Sequence, residues 1–348
     1  MMRAAVLEEI GSLRLKQVPV PEPGPGEVLV RIEANTICGT DLRIISGAKT
    51  AGVRPGVILG HEFAGRVAAV GRGVDGVPVG AQVTCSIVVS CQRCRACLSG
   101  REQLCENLVL FGYELDGGLA EYLLVPRIAM DHGNLVVLEK EIPATTLALA
   151  EPVSCCLNGA GQVAVAPGES VVVLGTGPIG LLHIALAKLA GATTILAAGR
   201  EGRLTAATDF GATCAVALTG EALTDEVRER TNGRGADVVI VAVGDLALAN
   251  QALELAAIGG RVNYFAGFPK GKTASIDPNL IHYRELAVTG GSNARRADVR
   301  RAVELLSSGA LDVGRLVTHR FPLAELDAAV TAVARRDGLK VAVMPAAG

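Results

Sequence analysis

The stretch Val171-Val172-Val173-Leu174-Gly175-Thr176-Gly177-Pro178-Ile179-Gly180 constrains the fold more than any other part of the chain. Its four consecutive apolar residues read as a strand buried on both faces, and Leu181 to Ala190 reads as a helix. Strand, glycine turn and helix in that order bring backbone N–H groups and a helix N-terminus up to a pyrophosphate. The alternation continues with strand 193–198, helix 203–210, strand 215–217, a helix after Thr224, strand 237–243, helix 246–257 and strand 261–266. Leu286-Ala287-Val288-Thr289-Gly290 supplies a sixth strand. This pattern predicts an α/β chain with a doubly wound parallel sheet that binds a dinucleotide. Gly175, Gly177, Pro178, Ile179 and Gly180 form the expected coenzyme turn, with Val243 and Gly267 at the ends of two later strands.

About twenty residues past such a turn, an NAD-binding sheet offers an acidic residue to the ribose hydroxyls. Here the position reads Ala197-Ala198-Gly199-Arg200-Glu201-Gly202-Arg203. Gly199 removes the carboxylate that would repel a 2′-phosphate, and Arg200 and Arg203 offer fork-shaped cations to one. NADP(H) is therefore expected over NAD(H). The other reading makes both arginines solvated residues and gives the ribose to Glu201.

The first half has a different texture. Ala5-Val6-Leu7, Leu13-Arg14-Leu15 and Val28-Leu29-Val30-Arg31-Ile32 read as strands around a proline-rich loop at 19–26. Gly65 to Gly71 and Ala81 to Cys85 read as two more. Within this β-rich region lie Cys38-Gly39-Thr40-Asp41 and Gly60-His61-Glu62, with Glu151-Pro152 far downstream. Thiolate, imidazole and carboxylate together suit zinc, which in catalytic sites keeps one position open for water or substrate. Cys91, Cys94, Cys97 and Cys105 are four thiolates within fifteen residues. Four thiolates saturate a tetrahedral zinc, so this second ion is expected to be structural, bracing a lobe with little core of its own. A redox pair or disulfides are the alternative, but they leave the spacing of the third and fourth cysteines unexplained. Cys85, Cys155, Cys156 and Cys214 lack such spacing and read as packing residues.

Length and composition narrow the function. A chain of 348 residues predicts two domains. No apolar run reaches the roughly eighteen residues of a membrane span, and the start lacks the segments of a signal peptide, so a soluble cytoplasmic protein with no membrane partner is expected. A net charge of −2 and 3% aromatic residues give neither the basic field nor the stacking platforms of a nucleic-acid binder.

With these motifs in view, the sequence resembles the zinc-containing medium-chain alcohol dehydrogenase family across essentially its whole length. Gly60-His61-Glu62, Gly65, Gly71 and Val74 keep the spacing of that family's zinc signature, and Cys38, Thr40, Asp41, the four-cysteine lobe and the glycine turn match as well. Glu151-Pro152 and the stretch from Asn279 to Leu286 are similar to the sorbitol (polyol) dehydrogenase branch, with threonine and sugar-alcohol-phosphate dehydrogenases as close neighbours. The resemblance implies a GroES-like β-rich catalytic domain at 1–151, a Rossmann domain at 152–291 and a return to the catalytic domain at 292–348. It also implies an active cleft between the domains and a homodimer or homotetramer.

It further assigns Cys38 and His61 to the catalytic zinc, with Glu62 a third or exchangeable ligand and Glu151 a ligand directly or through water. The other reading of Glu62 is a carboxylate that only supports the ligands. Asp41 is expected to orient the His61 ring. Thr40 is expected to accept the proton of the substrate hydroxyl, its alternative being a turn hydroxyl bonded to its own backbone. One departure is Arg43, where several polyol and threonine enzymes carry histidine. It either binds a phosphate or carboxylate of the substrate or lies in solvent. The function expected is hydride transfer between NADP(H) and a secondary alcohol or ketone of a polyol, cyclitol or sugar alcohol. The alternatives are an NAD-using threonine or sugar-alcohol-phosphate dehydrogenase, and an NADP(H)-sensing zinc protein without turnover.

Overall fold

The computed structural model describes residues 1–345, which divide into two compact units. Among the described residues the first comprises 1–154 with 293–345, and the second 155–292. The first boundary falls inside the helix Ala150–Val163.

The first unit is mostly β. Its main sheet is built on β1 (Val28–Thr36) and β2 (Glu62–Val70), which pair antiparallel so that Thr36 faces Glu62 and Asn35 faces Phe63. β1 opens on Val28-Leu29-Val30, apolar then alternates with polar from Val30 to Asn35, and the apolar residues are buried. The strand Lys340–Met344 pairs antiparallel with β1, Ala342 opposite Thr36, and so returns the end of the chain to this sheet. Immediately after β1 comes the short helix α1 (Gly39–Ile45), with Cys38 as its extended N-cap residue.

The second unit holds a six-stranded parallel sheet. Its strands are β3 (Ser170–Leu174), β4 (Thr194–Ala198), β5 (Cys214–Val216), β6 (Ala236–Val241), β7 (Ala256–Tyr264) and β8 (Ala287–Gly290). They lie in the order β5-β4-β3-β6-β7-β8, the doubly wound arrangement expected from the alternating pattern. Every residue of β3 is buried, as a central parallel strand requires.

The helix expected at 246–257 spans Ala247–Leu255 and the strand expected at 237–243 spans Ala236–Val241, and two boundaries move further for identifiable reasons. β7 begins at Ala256 rather than Arg261, running through Gly259-Gly260, and its register against β6 shifts there. Gly259 has φ +73°, so the glycines mark a bulge inside the strand instead of its start. The helix expected after Thr224 spans Gly220–Arg230, because Glu221, Ala222 and Leu223 extend the favourable run toward the N-terminus.

His183 stands on the apolar helix Pro178–Leu189, fully buried and edge-on to Phe265 with ring centroids 4.6 Å apart. Burial pushes its pKa down from 6.5 to about 3. The unfolded chain therefore binds this proton more readily than the folded one. The stability that depends on a neutral His183 is complete above pH 6.5 and falls by about 1.4 kcal/mol per pH unit on going below it toward 3. A His183→Leu variant is expected to lose less stability than the parent between pH 7 and pH 5, read as the shift in urea midpoint. An identical loss in both contradicts the assignment.

Candidate metal centre and coenzyme turn

Two clusters of metal-ligating side chains stand among the described residues, both in the first unit. In the first, one ligand atom each from Cys38, His61 and Glu62 lie within 4.8 Å of one another. Strand pairing assembles them, since β1 ends two residues before Cys38 and β2 begins with Glu62, directly after His61. Asp41 ties the parts together. Its Oδ2 accepts the Cys38 backbone N–H at 2.8 Å, and its Oδ1 lies 3.2 Å from His61 Nδ1, leaving Nε2 available to a metal. Burial pulls the His61 pKa down and the Asp41 carboxylate pulls it up; the net direction is well up. The Thr40 hydroxyl lies 3.7 Å from Cys38 Sγ.

Glu62 is more closely held than sequence reasoning indicated. Oε2 accepts the Thr36 hydroxyl from the adjacent strand, and Oε1 accepts Nζ of Lys340 at 2.6 Å from the strand beyond it. The side chains of Glu62 and Lys340 are 1% and 7% exposed, so this is a buried ion pair. Burial pulls the Lys340 pKa down, but the carboxylate of Glu62 and then the sulfur of Cys38 outweigh it and hold the ammonium above its ordinary range. Glu151, in the first turn of the helix Ala150–Val163, is not one of the three clustered ligands. Its charge nevertheless acts on both Tyr113 and Lys340.

Tyr113 was not singled out from sequence. Its buried ring stands 5.4 Å from that of His61, and burial, above the opposing charge of His61, pushes its hydroxyl pKa up. The bonds Gly118 N–H to Gly60 O and Leu119 N–H to Leu59 O, 2.8 and 2.9 Å, lay its segment along the residues before His61. The donor set fits zinc. It mixes sulfur, nitrogen and oxygen, and the surrounding acids outnumber the cations, so a dication balances the charge.

The second cluster joins Cys91, Cys94, Cys97 and Cys105. Cys94 Sγ is 3.5 Å from Cys97 Sγ and 3.9 Å from Cys105 Sγ. These separations are far beyond the roughly 2.05 Å of a disulfide, and within the span of about 4.6 Å open to two sulfurs on one zinc. All four cysteines are free thiols. Backbone N–H groups of Cys91 and Asn107 point at Cys105 Sγ at 3.2 and 3.3 Å, as donors do toward thiolate. Hydrogen bonds from the backbone of Arg93 and Cys94 lower the Cys91 pKa to about 6, whereas burial raises Cys97 to about 12. The remaining four histidines belong to neither cluster.

In the second unit the glycine turn joins β3 to the helix Pro178–Leu189, with Gly177 as N-cap and Pro178 in the first helical position. A Cβ on Gly180 would stand 1.8 Å from the Gly175 carbonyl oxygen, so only glycine lets helix and turn approach this closely. The Ile179 carbonyl receives the thiol of Cys156 at 3.9 Å. Val243 lies against Gly175, and the Gly267 carbonyl lies against Gly244. At Gly199 a Cβ would meet the Thr176 hydroxyl at 2.0 Å. Thr176 thus occupies the space that a ribose-binding carboxylate at 199 would need. Arg203 Nη1 reaches within 3.7 Å of the Cβ position of Gly177, beside the turn, while Arg200 and Glu201 are exposed.

Residues 24–132 match the alcohol dehydrogenase GroES-like domain, and residues 178–308 match the zinc-binding dehydrogenase domain. The chain belongs to the zinc-containing medium-chain alcohol dehydrogenase family, and it is an oxidoreductase acting on CH–OH donors. L-threonine 3-dehydrogenase of Pyrococcus furiosus is 37% identical, with 88% of this chain and 87% of its own length covered. The same enzyme from Symbiobacterium thermophilum is 35% identical over 99% of this chain and 98% of its own. A zinc-binding dehydrogenase of Sinorhizobium meliloti, solved bound to NADP, superposes with a TM-score of 0.91 at 36% identity, covering 99% of each chain. A 2R,3R-butanediol dehydrogenase of Bacillus subtilis superposes at 0.89 with 29% identity, over 99% of this chain and 100% of its own. No helix among the described residues is long and apolar enough to cross a membrane.

Removing one partner of a buried ion pair strands the other charge, at a cost of about 3–5 kcal/mol, whereas removing both together costs far less. Lys340→Met is therefore expected to lower the denaturation midpoint of the metal-free protein strongly, and Lys340→Met with Glu62→Gln to recover much of the loss. Additive losses in this double-mutant cycle would show that the pair is not coupled.

Proposed function

We propose that the protein catalyses the reversible NADP(H)-linked oxidation of a secondary alcohol of a polyol, cyclitol or sugar alcohol to its ketone. Zinc is held in this reading by Cys38, His61 and Glu62, with Glu151 as a further ligand directly or through water. Cys91, Cys94, Cys97 and Cys105 hold a second, structural zinc. The observation that carries the reading is the convergence of one sulfur, one imidazole and one carboxylate within 4.8 Å, with a hydroxyl beside the sulfur.

A zinc ion there supplies a Lewis acid that eases ionisation of a substrate hydroxyl. The chain's own residues do the rest. Thr40 Oγ1 relays the proton, accepting it from the substrate hydroxyl as its own passes on to solvent, and loss of that proton releases the carbinol hydride to the nicotinamide. Asp41 keeps the His61 ring in one tautomer and orientation. Glu62, gripped by Thr36 and Lys340, is held back as an exchangeable ligand rather than a permanent one. Gly175, Gly177, Pro178, Ile179, Gly180, Val243 and Gly267 receive the coenzyme. The steric block between Thr176 and position 199, with Arg203 at the turn, supports NADP(H) over NAD(H), and Arg200 adds a second cation for the 2′-phosphate. The same reading makes the protein a cytoplasmic homodimer or homotetramer.

A second reading, oxidation of L-threonine, is favoured by the threonine 3-dehydrogenases at 37% and 35% identity. Titration with NADPH and NADH in parallel, followed by polyols, phosphorylated polyols and threonine under the better coenzyme, separates the two. Activity on threonine alone overturns the polyol reading, and coenzyme binding without turnover of anything points to a sensor. Arg200→Ala with Arg203→Ala is expected to raise KM for NADP about tenfold or more and to change KM for NAD far less. Cys38→Ser is expected to reduce zinc from two ions per chain to one and to abolish turnover with the fold retained; a variant that keeps both ions and full rate removes Cys38 from the site.

A further inference from the structure

The parallel sheet of the second unit has an end that the glycine turn does not reach. That turn follows the C-terminal end of β3, whereas a cavity of about 200 Å³ opens where β6 and β7 begin, a strand length or roughly 20 Å away. Arg228, Arg234 and Arg284 line it, against a single carboxylate, that of Glu254. Other arginines of this unit are paired, Arg230 with Glu226 at 2.7 Å and Arg261 with Glu169. Among the described residues Arg228, Arg234 and Arg284 have no carboxylate within ion-pair distance. Asp237, whose carboxyl feels the charge of Arg234, is taken up by the Ser170 backbone N–H and hydroxyl at 2.8 and 2.6 Å. In a chain of net charge −2, three unpaired guanidinium groups around one hollow are a local excess.

The backbone under these cations is fixed. The buried Thr231 hydroxyl donates to the Val227 carbonyl at 2.7 Å and accepts the Gly235 N–H at 3.0 Å, and the Gly233 N–H donates to the Arg228 carbonyl at 2.7 Å. Gly235, at φ +85°, lies so close to β7 that a Cβ would stand 2.9 Å from the Leu255 carbonyl oxygen and the Ala257 nitrogen. Arg284 is half-buried, and its Nη1 donates to the carbonyls of Glu254 and Ala256 at 3.0 and 3.1 Å, which leaves Nε and Nη2 without an acceptor. A helix C-terminus favours a cation, and that accounts for Arg228 in the last turn of Gly220–Arg230. It does not explain why Arg234, outside any helix, and Arg284 line the same hollow. Planar guanidinium forks match the oxygens of a phosphate in pairs, and a phosphate dianion balances three cations and one carboxylate.

We propose that this hollow binds a phosphate group, as inorganic phosphate or as a small phosphate monoester, apart from the glycine turn and from both cysteine-containing clusters. Its volume lies below the about 300 Å³ at which pockets for drug-sized ligands begin, so it takes one phosphate and a short substituent and not a nucleotide. Val227 and Ile258 in its wall offer apolar surface to an ester carbon.

The test is calorimetric titration of the zinc-loaded protein at fixed ionic strength, saturated with the coenzyme it binds more tightly so that the glycine turn is filled. The probes are sodium phosphate and methyl phosphate, which has no hydroxyl to oxidise. One site per chain is expected. Arg228→Gln with Arg234→Gln is expected to weaken binding about tenfold or more and to leave the urea midpoint unchanged, because both side chains are exposed and unpaired. Glu254→Gln, which keeps an oxygen for Asn250 Nδ2, is expected to tighten binding about threefold. Tighter binding of methyl phosphate than of phosphate sustains the site with an ester as its ligand, and equal or weaker binding of the ester sustains it with free phosphate. No binding of either probe to the parent overturns the proposal. Equal affinity in the parent and the double arginine variant also overturns it, the heat then coming from an anion bound elsewhere. Turnover of an alcohol does not enter this test, so the dehydrogenase reading stands or falls separately.

Discussion

The first unit depends on keeping negative charge buried without losing the fold. Glu62 and Asp41 are each 1% exposed, and Cys38 lies beside them. Carboxylates of this kind are costly out of water unless each finds a cation or a donor. Lys340 answers for Glu62, His61 and the Cys38 backbone answer for Asp41, and the proposed zinc answers for what is left. The arrangement ties Glu62 to the strand cation, and a metal bound beside it would compete for the same carboxylate.

This balance explains why the strand Lys340–Met344 returns to β1 although more than three hundred residues separate the two in sequence. The pairing places a cation one strand from β1 and within reach of the first residue of β2. Four strictly apolar or small residues follow Lys340, so the strand is fixed by burial and the lysine by its counter-ion. In the second unit the corresponding constraint is steric. Thr176 and residue 199 compete for one volume, and a glycine at 199 leaves that volume to the threonine hydroxyl. The absence of a side chain there means that no carboxylate at 199 itself can meet a ribose.

Much of this was legible in the sequence because it is local. The strand, glycine turn and helix lie within twenty residues, as do the four cysteines, and the periodicity of the second unit gives all six of its strands in order. Cys38, His61 and Glu62 were recognisable from short motifs and come together through one strand pair. What sequence did not show is long-range. Lys340 reads as an unremarkable strand-edge lysine until Glu62, 278 positions away, is set beside it. Tyr113 sits in a loop that only backbone pairing carries to His61. β7 starts before the expected Arg261 because glycine in sequence does not distinguish the end of a strand from a kink within it.

The central claim is that the first unit carries two zinc sites of different kinds, one closed by four sulfurs and one open beside Thr40. Anomalous scattering at the zinc edge from crystals of the zinc-loaded protein tests it directly. The account predicts two peaks per chain, one among the four cysteine sulfurs and one about 2.0–2.3 Å from Cys38 Sγ and a His61 ring nitrogen. A single peak confined to the cysteine lobe, with Cys38 and His61 free of metal, contradicts it.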